Sequence, residues 1–131
     1  MVKAKKKILV IDDDDDIRES IRVALELAGY SVVEAMNGVK GLKIFLEEKI
    51  DLIVLDLFMP RMDGYMVMEQ LHQIVDEDPL NRTYPPILVV TAAEIEFDLG
   101  LSHNLGALEY IIKPYENDHL LRKIKTILSK K

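Results

Sequence analysis

The chain has 131 residues, with 17 lysines and arginines against 23 aspartates and glutamates, a net charge of −6 and no cysteine. That length supports one domain with its own core, needing neither a disulfide nor a structural metal. Thiol chemistry and a Cys-based zinc site are excluded, and the acidic balance argues against whole-surface attraction to nucleic acid.

The basic opening, Lys3 with Lys5, Lys6 and Lys7, precedes only four apolar residues, so it is read as a solvated arm over residues 1–6. It is neither a signal peptide nor a membrane span, which makes the cytoplasm the default location. The first strand is expected at 7–11, ending on the acidic run Asp12 to Asp16. Asp14 or Asp15 is placed to cap the helix that follows, and Asp16 to favour its N-terminal dipole. Ile17, Ile21, Ala24, Leu25 and Ala28 then recur at helical spacing until Gly29, in the position of a C′ glycine.

The second strand is read at 31–35, then an Asn37-Gly38 turn and a helix with Val39, Leu42, Phe45 and Leu46 on one face. A third apolar run, 52–55, ends in Asp56, followed by Met59-Pro60 and then Asp63-Gly64, read as a cap and a tight backbone. Val67, Leu71, Ile74 and Val75 mark the next helix. A long loop from Asp76 to Pro86 leads to a fourth strand at 87–91, ending in Thr91. Residues 94–105 are read as a helix although their apolar positions mostly fall two apart. A fifth strand, 109–112, precedes Lys113-Pro114, and Leu120, Leu121, Ile124, Ile127 and Leu128 define the last helix.

Short apolar runs alternating five times with helical segments imply parallel strands, right-handed crossovers and a doubly wound α/β sheet. In such a sheet the strand ends that carry Asp12, Asp13, Asp56, Thr91 and Lys113 open onto one edge, where α/β folds bind ligands. Two carboxylates about 4 Å apart repel by roughly 4 kcal/mol at an effective dielectric near 20, so positive charge is required. Lys113 supplies one unit, and an all-oxygen set with no His or Cys suits Mg²⁺. His72, His103 and His119 lie far apart and are read as surface or satisfied residues.

Asp12-Asp13, Asp56 with Met59-Pro60 and Asp63-Gly64, Thr91-Ala92 and Lys113-Pro114 stand in an order and spacing that resembles the receiver domains of two-component response regulators, the chemotaxis regulators among them. The resemblance covers residues 7–129 and implies a five-stranded sheet in the order 2-1-3-4-5 with five helices, one receiver domain over 1–131. It implies that Asp56 is the phosphoacceptor and that Asp13, Asp56 and the Phe58 backbone carbonyl hold Mg²⁺, Asp12 acting mainly through water. Lys113 and Thr91 would hold the phosphoryl oxygens, Thr91 and Tyr110 would form a switch, and the Lys113-Pro114 bond would be cis. Phe58 and Ala93 would flank the attacking water and tune how fast the acyl phosphate is lost. A low pKa is expected for Asp56, favoured by metal and Lys113.

The implied partners are a sensor histidine kinase or phosphotransfer protein as donor and an output protein or domain reached through the 94–129 face. No direct contact with nucleic acid or membrane is expected. Because Lys131 follows the last helix, either a stand-alone docking regulator or a receiver from a longer protein is anticipated. A phosphatase with an aspartyl intermediate would want a second aspartate where Phe58 stands, and a flavin-binding domain would want a Ser/Thr/Gly-rich loop where the aspartates run. A receiver-like module that binds without phosphorylation fits poorly with an intact acidic set.

Overall fold

The computed structural model describes residues 5–78, 83–92 and 107–129. Five strands, β1 (Lys7–Ile11), β2 (Ser31–Ala35), β3 (Leu52–Asp56), β4 (Ile87–Thr91) and β5 (Ala107–Ile112), pair in parallel in the order β2-β1-β3-β4-β5. Four helices are described: α1 (Asp15–Leu27), α2 (Gly38–Glu47), α3 (Gly64–Asp76) and α4 (Asn117–Ser129). The expected helix over 94–105 lies outside the described residues.

Within each central strand the side chains alternate between two cores. Leu9, Ile11, Ile53, Leu55, Ile87 and Val89 pack with Phe45 of α2 and Val67, Met68 and Leu71 of α3. Ile8, Val10, Leu52, Val54, Leu88 and Val90 pack on the opposite face with Ile21 and Leu25 of α1 and Leu120 and Ile124 of α4. A strand covered on both faces has no polar side, which is why these runs are uninterrupted. Burying each such side chain contributes about 1.5–3 kcal/mol. Edge strand β2 is only partly covered, so Glu34 is tolerated within it.

The helix ends follow local rules. Asp14 caps α1 by accepting from the Asp16 and Ile17 N–H groups, and Asp63 caps α3 by accepting from Met66 N–H. After α1, Gly29 adopts φ +99°, with Gly29 N–H donating to the Glu26 carbonyl and Tyr30 N–H to that of Leu25. This is the Schellman closure that a left-handed glycine allows.

The α2 stripe read from the sequence needs correction. Phe45 is buried, but Val39 is 63% and Leu46 53% exposed, and the helix turns Gly38 and Gly41 inward instead. A Cβ on Gly41 would lie 2.4 Å from Ile11 Cδ1, so the glycine lets α2 sit directly on β1.

Candidate functional site

Strand register brings the reactive side chains together. Ile11 pairs with Leu55, Asp56 with Val90 and Thr91 with Ile112, so the residues that end or follow these strands share one sheet edge. Carboxylate oxygens of Asp12, Asp13 and Asp56 all lie within 4.8 Å of one another. Asp12 and Asp56 are buried and Asp13 is exposed. Even at that separation each pair repels by roughly 3 kcal/mol at an effective dielectric near 20.

Lys113 enters from the end of β5. Its Nζ stands 3.0 Å from Asp12 Oδ2 and 3.6 Å from Asp56 Oδ2, and its backbone N–H donates to the Thr91 carbonyl at 2.7 Å. The Lys113-Pro114 bond is cis. Thr91 is fully buried at the end of β4. Tyr110 pairs with Val89 and is partly buried against the α2–α3 core, three residues before Lys113. Ala93 lies outside the described residues.

One lysine does not balance three carboxylates. Burial pushes the Asp56 carboxyl up to about 6, Lys113 pulls it down, Asp12 and Asp13 add to the rise, and the Phe58 N–H opposes it. A low pKa was expected from Lys113 and metal together; with the protein's own groups alone, desolvation outweighs the lysine. Asp56 is nevertheless mostly ionised at pH 7. The donor set, all oxygen, partly buried and short of positive charge, fits Mg²⁺.

The loop after Asp56 is held tightly. Phe58 N–H donates to Asp56 Oδ1 at 3.2 Å and Gly64 N–H to the Leu57 carbonyl at 2.8 Å, while Phe58 is 44% exposed. A Cβ on Gly64 would meet the Asp56 carbonyl oxygen at 2.7 Å and Leu57 Cα at 2.8 Å, so only glycine permits this approach.

Asp12 is fixed from several sides. Its Oδ1 accepts from Asp14 N–H at 2.9 Å, its N–H donates to the Ala35 carbonyl at 3.2 Å, and its own carbonyl accepts from Arg18 Nη1 at 2.8 Å. Arg18 did not emerge from the sequence. An arginine three residues after Asp15 signals an ion pair along the helix, not a reach back to the preceding loop.

A family model described as "Response regulator receiver domain" matches residues 8–125. The alkaline phosphatase synthesis transcriptional regulatory protein PhoP of Bacillus subtilis is 41% identical over 123 residues, covering 94% of this chain and 48% of that protein. A probable transcriptional regulator ycf27 of Cyanidium caldarium is 39% identical over 126 residues, 96% of this chain and 47% of that one. The chain thus spans about half the length of the curated relatives it matches. Among solved structures, chemotaxis protein CheY4 of Vibrio cholerae superposes with a TM-score of 0.85 at 26% identity, covering 95% of this chain and all of that one (100%). Response regulator protein TrrA of Thermotoga maritima, in complex with Mg(2+)-BeF, gives 0.79 at 32% identity, covering 94% of this chain and 99% of that one.

Proposed function

The chain belongs to the response regulator receiver domain family of two-component signalling, and from that premise we propose that Asp56 is its phosphoacceptor. The observation that carries this is one buried carboxylate at a strand end, with two further carboxylates within 4.8 Å and a lysine at 3.6 Å. An Asp56 oxygen attacks the phosphorus of a phosphohistidine on a sensor kinase or phosphotransfer protein, or of a small acyl phosphate. The bond from phosphorus to the donor atom breaks, and the donor leaves with that electron pair. Loose phosphoryl transfer needs positioning and positive charge more than covalent help.

Lys113 neutralises phosphoryl oxygens and Thr91 donates its hydroxyl to one. Asp13, Asp56 and the Phe58 backbone carbonyl would hold Mg²⁺, with Asp12 acting mainly through water. When bound, that ion supplies charge neutralisation at the transferring group. The buried edge limits water around Asp56, and the Phe58 N–H orients its carboxylate. Water attacking the phosphorus of the acyl phosphate breaks its bond to the Asp56 oxygen, releases inorganic phosphate and returns the carboxylate, so the chemistry stays on the chain itself. Thr91 drawn toward the phosphoryl group leaves space for the Tyr110 ring, and the 94–129 face carries the change to an output protein or domain.

In this reading residues 1–131 form a single receiver domain, core about 7–129, with a basic arm at 1–6 and a cytoplasmic setting. No helix among the described residues is long and apolar enough to cross a membrane. Direct DNA binding is left to other domains or proteins.

The test is incubation of the wild-type chain with Mg²⁺ and an acyl phosphate, read by intact mass and peptide mapping. One added phosphoryl group in the peptide that contains Asp56 is expected. No mass gain removes the assignment.

Phe58, with Ala93, then governs how long the mark lasts. The half-exposed ring has no group to orient water, so Phe58→Asn is expected to dephosphorylate about tenfold faster, below what a fully engaged acid–base group supplies. The decay of phosphoprotein after donor removal measures it; an unchanged or slower rate rejects this role.

A further inference from the structure

Arg18 is 12% exposed and makes three contacts that leave the helix it belongs to or bend back along it. Nη1 donates to the Asp12 carbonyl at 2.8 Å, Nη2 meets the Asp15 carboxylate, and Nε lies 3.4 Å from Glu34 Oε1 on β2. Nε itself has no hydrogen-bond partner, so Glu34 holds the guanidinium as a charge and leaves Nη1 aimed at the loop.

Lys113 grips the same residue from the other side, through Asp12 Oδ2 at 3.0 Å. Asp12 therefore stands between two cations, one on its side chain and one on its backbone. Its neighbour Asp13 shares that backbone, and the two supply two of the three carboxylates in the cluster. Mutual repulsion drives such carboxylates apart unless the turn carrying them is restrained. Guanidinium is suited to this because its planar fork serves several acceptors at once.

We propose that Arg18 is a positioning residue: anchored by Glu34 and Asp15, it holds the Asp12 backbone so that the Asp12-Asp13 turn presents its carboxylates to a divalent cation. The inference rests on the reading of the acidic cluster as an Mg²⁺ site. It carries an unusual sign. Arg18 is itself a cation near that cluster, so if charge were its whole contribution, removing it would tighten Mg²⁺ binding. If position dominates, removing it weakens binding.

The experiment is calorimetric titration of Mg²⁺ into the unphosphorylated wild type, Arg18→Ala, Arg18→Lys and Glu34→Gln, with melting temperatures in EDTA measured alongside. Arg18→Ala is expected to bind Mg²⁺ about tenfold more weakly, the lower end of what partners behind metal ligands contribute. Arg18→Lys is expected to regain part of that loss, because an ammonium reaches the carbonyl without spanning Glu34 as well. Glu34→Gln, which loosens the guanidinium without touching the loop, should weaken binding by a smaller factor. Unchanged or tighter affinity in a folded Arg18→Ala overturns the proposal, even if its melting temperature falls. Should Arg18→Ala fail to fold, Glu34→Gln decides, and wild-type affinity in that variant overturns it. A wild type that takes up no Mg²⁺ removes the metal site and this inference with it, an outcome distinct from a wild type that binds and an Arg18→Ala that binds equally well.

Discussion

Asp56→Asn is expected to take up no phosphoryl group and, in the same protein, to raise the metal-free melting temperature at pH 7 by roughly 10 °C, taking each kcal/mol as worth a few degrees in a domain of this size. Loss of phosphorylation follows because an amide offers no carboxylate to attack phosphorus. The gain in stability follows from the raised pKa. The Asp56 carboxyl titrates near its ordinary 3.8 in the unfolded chain and at about 6 in the fold. Between those values the folded protein binds more protons, so stability falls as pH rises through this window. Above it, ionised Asp56 costs about 3 kcal/mol, an upper figure for a buried group with a lysine at hand. Asparagine removes that cost at pH 7 and almost nothing at about pH 3, where the aspartate is neutral in both states.

Thermal melts of wild type and Asp56→Asn across pH 3.5 to 7.5 in EDTA measure this, and coincident melting curves at pH 7 reject it. Added Mg²⁺ should narrow the gap, because it stabilises only a fold whose carboxylates hold it.

Gly64→Ala is expected to slow phosphoryl uptake by about a hundredfold, a loss typical of an ångström's misplacement at a reacting centre. The added Cβ would stand 2.7 Å from the Asp56 carbonyl oxygen and 2.8 Å from Leu57 Cα. Both are backbone atoms, so relief requires α3 to move away or the strand end bearing Asp56 to shift. A stability loss of about 1–3 kcal/mol accompanies such overpacking. Gly29→Ala separates the two effects. At φ +99° it too is strained, yet no atom lies within 4 Å of its Cβ, and it sits at the far end of α1. It should lose about 1 kcal/mol while phosphorylating at the wild-type rate. Initial rates with an acyl phosphate and Mg²⁺ decide; equal rates for Gly64→Ala and wild type reject the argument.

Much of this was legible in the residues because period and punctuation agreed. The runs Ile8-Leu9-Val10-Ile11 and Leu52-Ile53-Val54-Leu55 are strands because nothing in them is polar, and Asp14, Asp63 and Gly29 stand where caps and stops belong. The convergence of Asp12, Asp13, Asp56 and Lys113 followed from parallel topology, since every parallel strand ends on the same edge. The inward face of α2 was not legible, because glycines bury a helix by absence and leave no apolar signal. Nor was the Asp56 pKa, which depends on how completely the strand end is closed off. Arg18 stayed hidden because its acceptor is a carbonyl, which every residue has.

The pairing of Lys113 with both Asp12 and Asp56 sets a condition on valence. With Asp13 included, the ionised edge holds three negative charges and one positive, a deficit that one divalent ion cancels and one monovalent ion leaves half open. The edge is then electroneutral only while a divalent ion is bound and no phosphoryl group has arrived. In that interval an anionic donor would approach without net repulsion, and a phosphoryl group transferred to the edge would make it negative again. Ion charge, more than ion size, would thus be the first criterion by which this pocket admits a cofactor.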